Sequence, residues 1–209
     1  MTDIIATHID LLRHGQCEGG DIFRGKINVA LSASGKDAMF NSVAYHNTQC
    51  NTSWASVISS PLRRCLDFSK RYAQEQDIQL VVNTDLEEID FGDWDGKLVE
   101  NIALNYPDEM ACWHSEPEQF CPPGGEPVRN FKARVVTAFQ SIVQDNRGDS
   151  VLLVTHGGVI RCILSHAFGL PLGRASILDV PYACISRISI YEYDDSVTTK
   201  LTFHNLSAC

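Results

Sequence analysis

The chain has 209 residues, of which 44% are hydrophobic and 21% charged, a globular composition long enough to bury one sizeable core. Its net charge of -9 excludes an overall basic field that would gather nucleic acid or anionic membrane, so an anionic ligand requires a local cluster of Arg and His. No run approaches the roughly 20 apolar residues of a membrane span, and Met1, Thr2, Asp3, Ile4 and Ile5 lack a basic-then-apolar leader, so a cytoplasmic setting is expected.

In chain order, Ile9 to Leu12 read as a buried strand stopping at Arg13, His14 and Gly15. A polar, Gly-rich loop runs to Gly25. A helix then starts after Ser32 or Ser34, either of which suits an N-cap, with Met39, Phe40, Val43 and Ala44 on its apolar face. Val57 and Ile58 form a second buried strand. Ser59, Ser60 and Pro61 end it and open a helix, with Pro61 in the first turn and Leu66, Phe68, Tyr72 and Ala73 facing inward. Leu80 to Val82 give a third strand, followed by the loop L-E-E-I-D-F-G-D-W-D-G at 86–96.

Residues 97–127 hold five prolines and read as a short helix, then a loop, forming a small inserted cap. Its Trp113 and Phe120 suit either stacking on a ligand or core packing. Residues 128–145 follow helical spacing through Val128, Phe131, Val135, Ala138 or Phe139, and Ile142. Val151 to Val154 are a fully apolar strand ending at Thr155, His156, Gly157 and Gly158, with a helix over Val159 to Phe168. Cys184–Tyr193 and Val197–Phe203 flank Asp194 and Asp195 as a hairpin at a sheet edge. The pattern predicts a single α/β domain over 1–209: a three-layer α/β/α sandwich with a mostly parallel sheet, an antiparallel edge hairpin and the inserted cap over about 97–127.

Chemistry gathers at the predicted strand ends, where such sheets bind ligands. The His14 imidazole is a candidate nucleophile toward phosphorus, Arg13 offers a planar fork for phosphate oxygens, and Gly15 permits close backbone approach to a ligand. Arg64 sits near a helix N-terminus, which favours anions, whereas Arg63 reads as a solvated arginine. His156 is a candidate donor to an anion, helped by N–H groups at Gly157 and Gly158. Among the adjacent acids Glu87 and Glu88, a carboxyl can protonate a leaving oxygen. Eight cysteines without a C-x-x-C pair read as free thiols, with no zinc site, and Cys17, three residues from His14, is a candidate for oxidative blocking.

Together, L-L-R-H-G, S-P-L-x-R, L-x-E-x-x-F-G-x-W-x-G and V-T-H-G-G, in that order and spanning most of the chain, resemble the histidine phosphatase superfamily, which includes the cofactor-dependent phosphoglycerate mutases. The resemblance implies phosphorylation of His14, phosphate binding by Arg13, a clamp at Arg64, proton donation by Glu88, a second catalytic histidine at His156, and substrate contact by Arg24 and Gly25. It implies a phosphatase that needs neither metal nor cofactor. Gln16 and Gly20 depart from the residues common at their positions, Glu and Asn. The F-G-D-W-D-G loop and P-P-G-G-E segment resemble the α-ribazole phosphatase group of cobalamin biosynthesis, which implies α-ribazole 5′-phosphate as the small phosphorylated partner. A general small-molecule phosphatase, a phosphoglycerate mutase and a non-catalytic phosphate-ligand binder are the alternatives.

Overall fold

The computed structural model describes residues 4–50 and 53–208. The readings at Met1, Thr2, Asp3 and Cys209 therefore lie outside the described residues. The strands are β1 (Ile5–Arg13), β2 (Ser56–Ser59), β3 (Gln79–Val82), β4 (Ser150–Thr155), β5 (Ile185–Tyr193) and β6 (Ser196–Leu206). The main helices are α1 (Ala33–Cys50), α2 (Arg63–Gln76), α3 (Val99–Asn105), α4 (Pro107–Ser115), α5 (Val128–Asp145) and α6 (Gly157–Ala167).

Among the described residues these strands form one sheet in the order β3-β2-β4-β1-β5-β6. The pairings β2·β3, β2·β4 and β1·β4 are parallel, and β1·β5 and β5·β6 are antiparallel. Alternation along the strands makes three layers. Ile9, Leu11, Val151 and Leu153 pack toward α5 and α6, while Leu12, Leu152 and Val154 pack toward α1 and α2. Central β4 is buried on both faces, which its unbroken apolar run requires. The hairpin turns at Asp194, which takes a left-handed φ of 48°, and Tyr193 pairs with Ser196.

Parallel pairing brings the ends of β1, β2 and β4 to one edge. Arg13 lies beside Thr155, and Ser59 beside Val154. The helices after β1 and β2 cover one face and the helix after β4 covers the other, so the loops diverge and open a crevice there.

Several local readings change. Ser32 is the cap of α1, its Oγ accepting the Gly35 N–H at 3.0 Å. The buried stripe of α1 is Gly35, Met39, Ser42, Val43 and His46, and Ala44 is exposed because it lies about a quarter-turn beyond that stripe. Pro61 precedes α2 instead of starting it: Leu62 stays extended, with its N–H donated to Ser60 Oγ at 3.3 Å. α6 begins at Gly157, directly after the strand. The 97–127 stretch contains two α-helices and a 3-10 turn at Pro117–Gln119, not one helix, because Tyr106 leaves helical geometry with φ -135° and ψ 56° and Pro107 then starts α4. Over 128–145 the helix bounds coincide with the sequence pattern.

One buried ion pair ties the sheet together. Asp10 and Arg187 are cross-strand partners, with Arg187 Nε to Asp10 Oδ1 at 2.8 Å and its amino group to Oδ2 at 2.7 Å. Trp54 Nε1 donates to the same carboxylate at 2.6 Å, and His46 Nε2 lies 3.2 Å from it. Burial pushes the Asp10 carboxyl up, but the bonds from Arg187 and His46 outweigh it and hold the carboxyl below its ordinary value. The stabilisation is therefore present above the ordinary carboxylate range and is lost as pH falls through the lowered value. Asp10→Ala leaves Arg187 buried without this partner and is expected to cost about 3–5 kcal/mol in urea unfolding at neutral pH. A loss under 1 kcal/mol would contradict this account of the pair.

Candidate active site

His14 emerges from β1 with its peptide fixed on both sides: its N–H donates to Thr155 O at 2.9 Å, and its carbonyl accepts from Ala183 N at 3.3 Å. Its Nδ1 lies 2.8 Å from Gly15 O. A carbonyl only accepts, so Nδ1 carries the proton and Nε2 is left with a bare lone pair. Burial, reinforced by the nearby Arg64 and, more weakly, by Arg13 and Arg24, holds the imidazole pKa well below its ordinary value, although the Gly15 bond pulls the other way. The His14 ring is thus held neutral and oriented, with Nε2 unprotonated.

Gly15 is required for a different reason than ligand approach. A Cβ there would stand 2.0 Å from Gly35 O, and a Cβ on Gly35 would stand 2.0 Å from Gln16 O. The His14 loop and the start of α1 pack backbone on backbone, and Gln16 itself is exposed.

The cations around His14 are built in. Arg64 is fully buried and gives N–H groups to Ile27 O at 2.9 Å, Gly25 O at 2.8 Å, Arg24 O at 3.2 Å and His156 Nδ1 at 3.2 Å. Its charge is held rigidly beside the imidazoles, while most of its fork is spent on the loop at 24–27. His156 accepts from Arg64, so its own proton sits on Nε2 and goes to Ser60 Oγ at 2.8 Å. Burial, then Arg64 and His14, hold its pKa well below the ordinary value. The two imidazole rings lie 5.2 Å apart.

Arg24 is buried and bonds Glu18 O at 2.9 Å and Gly20 O. Arg13 bonds Val180 O at 2.5 Å and lies over the Tyr182 ring, 4.0 Å from its centroid. In both arginines the Nε is buried without a hydrogen-bond partner. An unmade buried donor costs about 1–3 kcal/mol, so two of them beside one nucleophile point to an anion that completes them. Arg63 is exposed and pairs with Asp67, as a solvated arginine does.

Glu88 is buried, with Oε1 accepting Ile89 N–H at 3.1 Å and Oε2 accepting Gly158 N–H at 3.0 Å. The Gly158 amide is therefore spent on the acid and is not an open anion donor. A Cβ on Gly158 would stand 2.4 Å from Glu88 Oε1, so only glycine lets the carboxylate lie on the start of α6. Gly25 is likewise a loop-holding residue: its N–H goes to Asp95 Oδ1 at 2.8 Å, and its Cβ would meet Ile89 O at 2.2 Å. The F-G-D-W turn rests directly on P-P-G-G-E, with Asp93 N–H to Pro123 O at 2.8 Å and Glu126 N–H to Asp90 O at 2.9 Å.

Sequence reasoning missed three residues here. Arg134 of α5 forks onto Glu126 with two 2.8 Å bonds and donates to the carbonyls of Asp85, Glu87 and Glu88, which pins the acid's backbone. Tyr182 packs on Arg13 and lies 5.6 Å from the His14 ring. Arg161 of α6 lies one turn beyond Gly157, on the same helix face, a spacing that was available to find it.

Beyond Glu88 opens a cavity of about 380 Å³. Arg13, Glu88, Gly157 and Arg161 line it together with the aromatic side chains of Phe91, Trp113 and Phe131. Trp113 is thus at the cavity and Phe120 is core, 5% exposed and 5.3 Å from Trp94 between ring centroids. Cys17 is buried with Sγ 3.7 Å from His14 Nδ1, and burial pushes its thiol up, away from the reactive thiolate. Cys65, Cys162 and Cys184 are also buried free thiols. Among the described residues no group of three or more His, Cys, Asp or Glu is placed to hold a metal ion, and no helix is long and apolar enough to cross a membrane.

The model of the histidine phosphatase superfamily (branch 1) matches residues 9–201. The chain belongs to this superfamily. It is 30% identical over 187 residues to the bifunctional protein Rv2228c of Mycobacterium tuberculosis, covering 88% of this chain and 50% of that protein. The chain thus spans about half the length of the first curated relatives it matches. It is 22% identical to the adenosylcobalamin/α-ribazole phosphatase of Escherichia coli, covering 86% of this chain and 88% of that one. The solved structure of a mycobacterial glucosyl-3-phosphoglycerate phosphatase superposes with a TM-score of 0.80 at 25% identity, covering 97% of this chain and 100% of that one.

Proposed function

We propose that the protein hydrolyses a small phosphomonoester in two steps through phospho-His14. In the first, His14 Nε2 forms a bond to phosphorus while the bond from phosphorus to the ester oxygen breaks, and that oxygen takes a proton from Glu88. In the second, water attacks phospho-His14 and gives its proton to Glu88, which returns His14 and the acid to their starting forms. Arg13, Arg24, Arg64 and His156 carry the charge on the equatorial oxygens, the work that a metal ion does elsewhere. The observation that carries this reading is the Nδ1–Gly15 hydrogen bond, which leaves Nε2 bare on a neutral ring. Residues 97–127 act as the cap of a single domain and shape the leaving-group side.

The substrate we propose first is α-ribazole 5′-phosphate, supported by the F-G-D-W-D-G and P-P-G-G-E segments and by the aromatic side chains of Phe91, Trp113 and Phe131, against which a planar base can stack. A second reading, an ester with an acidic leaving group, is favoured by Arg161 in the same cavity. The test is phosphate release, with chelator present, from α-ribazole 5′-phosphate, sugar phosphates and 3-phosphoglycerate. Release with at least tenfold preference for α-ribazole 5′-phosphate is the expected result. Even release across the panel removes the substrate assignment, and no release from any ester removes the hydrolase reading.

A further inference from the structure

The site fixes its arginines in two different ways. Arg64 is held by hydrogen bonds to the carbonyls of Arg24, Gly25 and Ile27 and to His156 Nδ1. Arg13 gives the protein one side-chain hydrogen bond among the described residues, from a terminal amino nitrogen to Val180 O at 2.5 Å. Its Nε is buried and unpartnered. Among the described residues no carboxylate forms an ion pair with it. Donors that are to meet phosphoryl oxygens have to stay clear of protein acceptors, so hydrogen bonds cannot be what fixes this guanidinium.

The face of an aromatic ring can fix it instead. The central carbon of the Arg13 guanidinium lies 4.0 Å from the Tyr182 ring centroid, inside the range at which a cation is drawn to the negative face of a ring without spending its N–H groups. The same ring lies 5.6 Å from the His14 ring, tilted by 45°, so one side chain borders both residues. The segment that carries Tyr182 is tied to them through the backbone. Arg13 N–H donates to Cys184 O at 3.1 Å, and Ala183 N–H donates to His14 O at 3.3 Å. Ala183 takes a left-handed φ of 59°, which an alanine holds only where its surroundings impose it. Val180, Ala183 and Cys184 are buried, whereas Tyr182 is 39% exposed. The turn is anchored by its flanks, and its aromatic ring lies over Arg13 and not in the core. Arg161 gives the contact work to do: its Nη1 and Arg13 Nε each stand 3.2 Å from where a Gly157 Cβ would be, so like charges meet across Gly157.

We infer that Tyr182 is a positioning residue: its ring holds the Arg13 guanidinium beside His14 with the N–H groups free for phosphoryl oxygens. This rests on the phosphoryl-transfer reading above. An arginine held in this way is pre-organised, so neither binding nor attack on phosphorus has to order it first. A cation–ring contact of this kind is worth about threefold to thirtyfold in an affinity or a rate.

The test is a double-mutant cycle of Tyr182→Leu and Arg13→Gln, read by kcat/KM for p-nitrophenyl phosphate and by titration of inorganic phosphate. Leucine keeps an apolar cover but has no ring face. In the wild-type background Tyr182→Leu is expected to lower both quantities about threefold to thirtyfold, and in the Arg13→Gln background by less than about twofold. Tyr182→Phe keeps the ring and is expected to retain at least about half of the wild-type values. An equal loss from Tyr182→Leu with and without Arg13 overturns the inference, because the ring would then act on His14 or on folding. A Phe variant as impaired as the Leu variant also overturns it, since the hydroxyl and not the ring face would then matter. So does a Leu variant that matches wild type. Absence of nitrophenol release from the wild-type protein removes the hydrolase reading, and the phosphate titration still decides the part played by Tyr182.

Discussion

Replacing His14 with alanine is expected to lower phosphate release by at least about 10⁴-fold, because the variant has no nucleophile and the remaining arginines only bind the ester. The Ala side chain fits the space, and the backbone bonds of position 14 to Thr155 O and from Ala183 N are kept while the ring's bond to Gly15 O is lost. Folding and ligand affinity are therefore expected to persist, measured by thermal unfolding and by binding of inorganic phosphate. The pH dependence is part of the same expectation. His14 has a pKa lowered by burial and by Arg64, so its neutral, nucleophilic form prevails at and above the ordinary histidine value. In kcat/KM, the acid limb due to His14 should therefore lie well below pH 6.5. A limb centred at or above that value would mean that the ring is not held neutral as the structure implies. Turnover in His14→Ala within tenfold of wild type would remove the covalent route altogether.

Glu88→Gln carries the second large effect. The amide cannot give a proton to the leaving oxygen or take one from water, and loss of a positioned acid–base group costs about 10²–10⁴-fold in kcat. The loss should depend on the ester. An alkyl phosphate needs the proton, so its first step slows. p-Nitrophenyl phosphate leaves without one, so its first step survives and only the hydrolysis of phospho-His14 is impaired. The expected signature is a burst of one equivalent of nitrophenol per site followed by slow turnover, seen by stopped flow. Equal losses on both esters without a burst would assign Glu88 a structural part, for which its bonds to Ile89 and Gly158 already provide a basis.

Much of the fold is legible because its periodicities are strong. Val128, Phe131, Val135, Ala138, Phe139 and Ile142 define the buried face of α5, and the continuous apolar run of β4 marks a strand buried on both sides. α1 was harder, since it buries Ser42 and His46 where an apolar stripe was expected and His46 packs into the Asp10–Arg187 pair. Pro107 hid α4, because a helix-starting proline and a loop proline look alike in one sequence.

The site was legible where chemistry sits at strand ends. Arg13 with His14, Ser60 and His156 all follow short apolar strands, and parallel pairing puts those ends side by side. Less visible were residues that act from helix surfaces. Arg134 and Arg161 look like ordinary solvated arginines until packing turns them onto Glu88's backbone and into the cavity. Gly15 was read as making room for a ligand, Gly25 as a substrate contact and Gly158 as an N–H donor. Gly15, Gly25 and Gly158 instead admit Gly35, Ile89 and Glu88, partners that no local pattern reveals.

The most direct test of the covalent route is to trap the intermediate. Glu88→Gln, in which breakdown is slowed, is mixed with p-nitrophenyl phosphate, quenched in alkali and digested, and the peptide containing residue 14 is analysed by mass spectrometry. The account predicts one phosphoryl group on His14 Nε2, stable in alkali, lost in acid and absent when His14 is also replaced. A phosphoryl group on any other residue, or nitrophenol release with no phosphoenzyme at any time point, would contradict it.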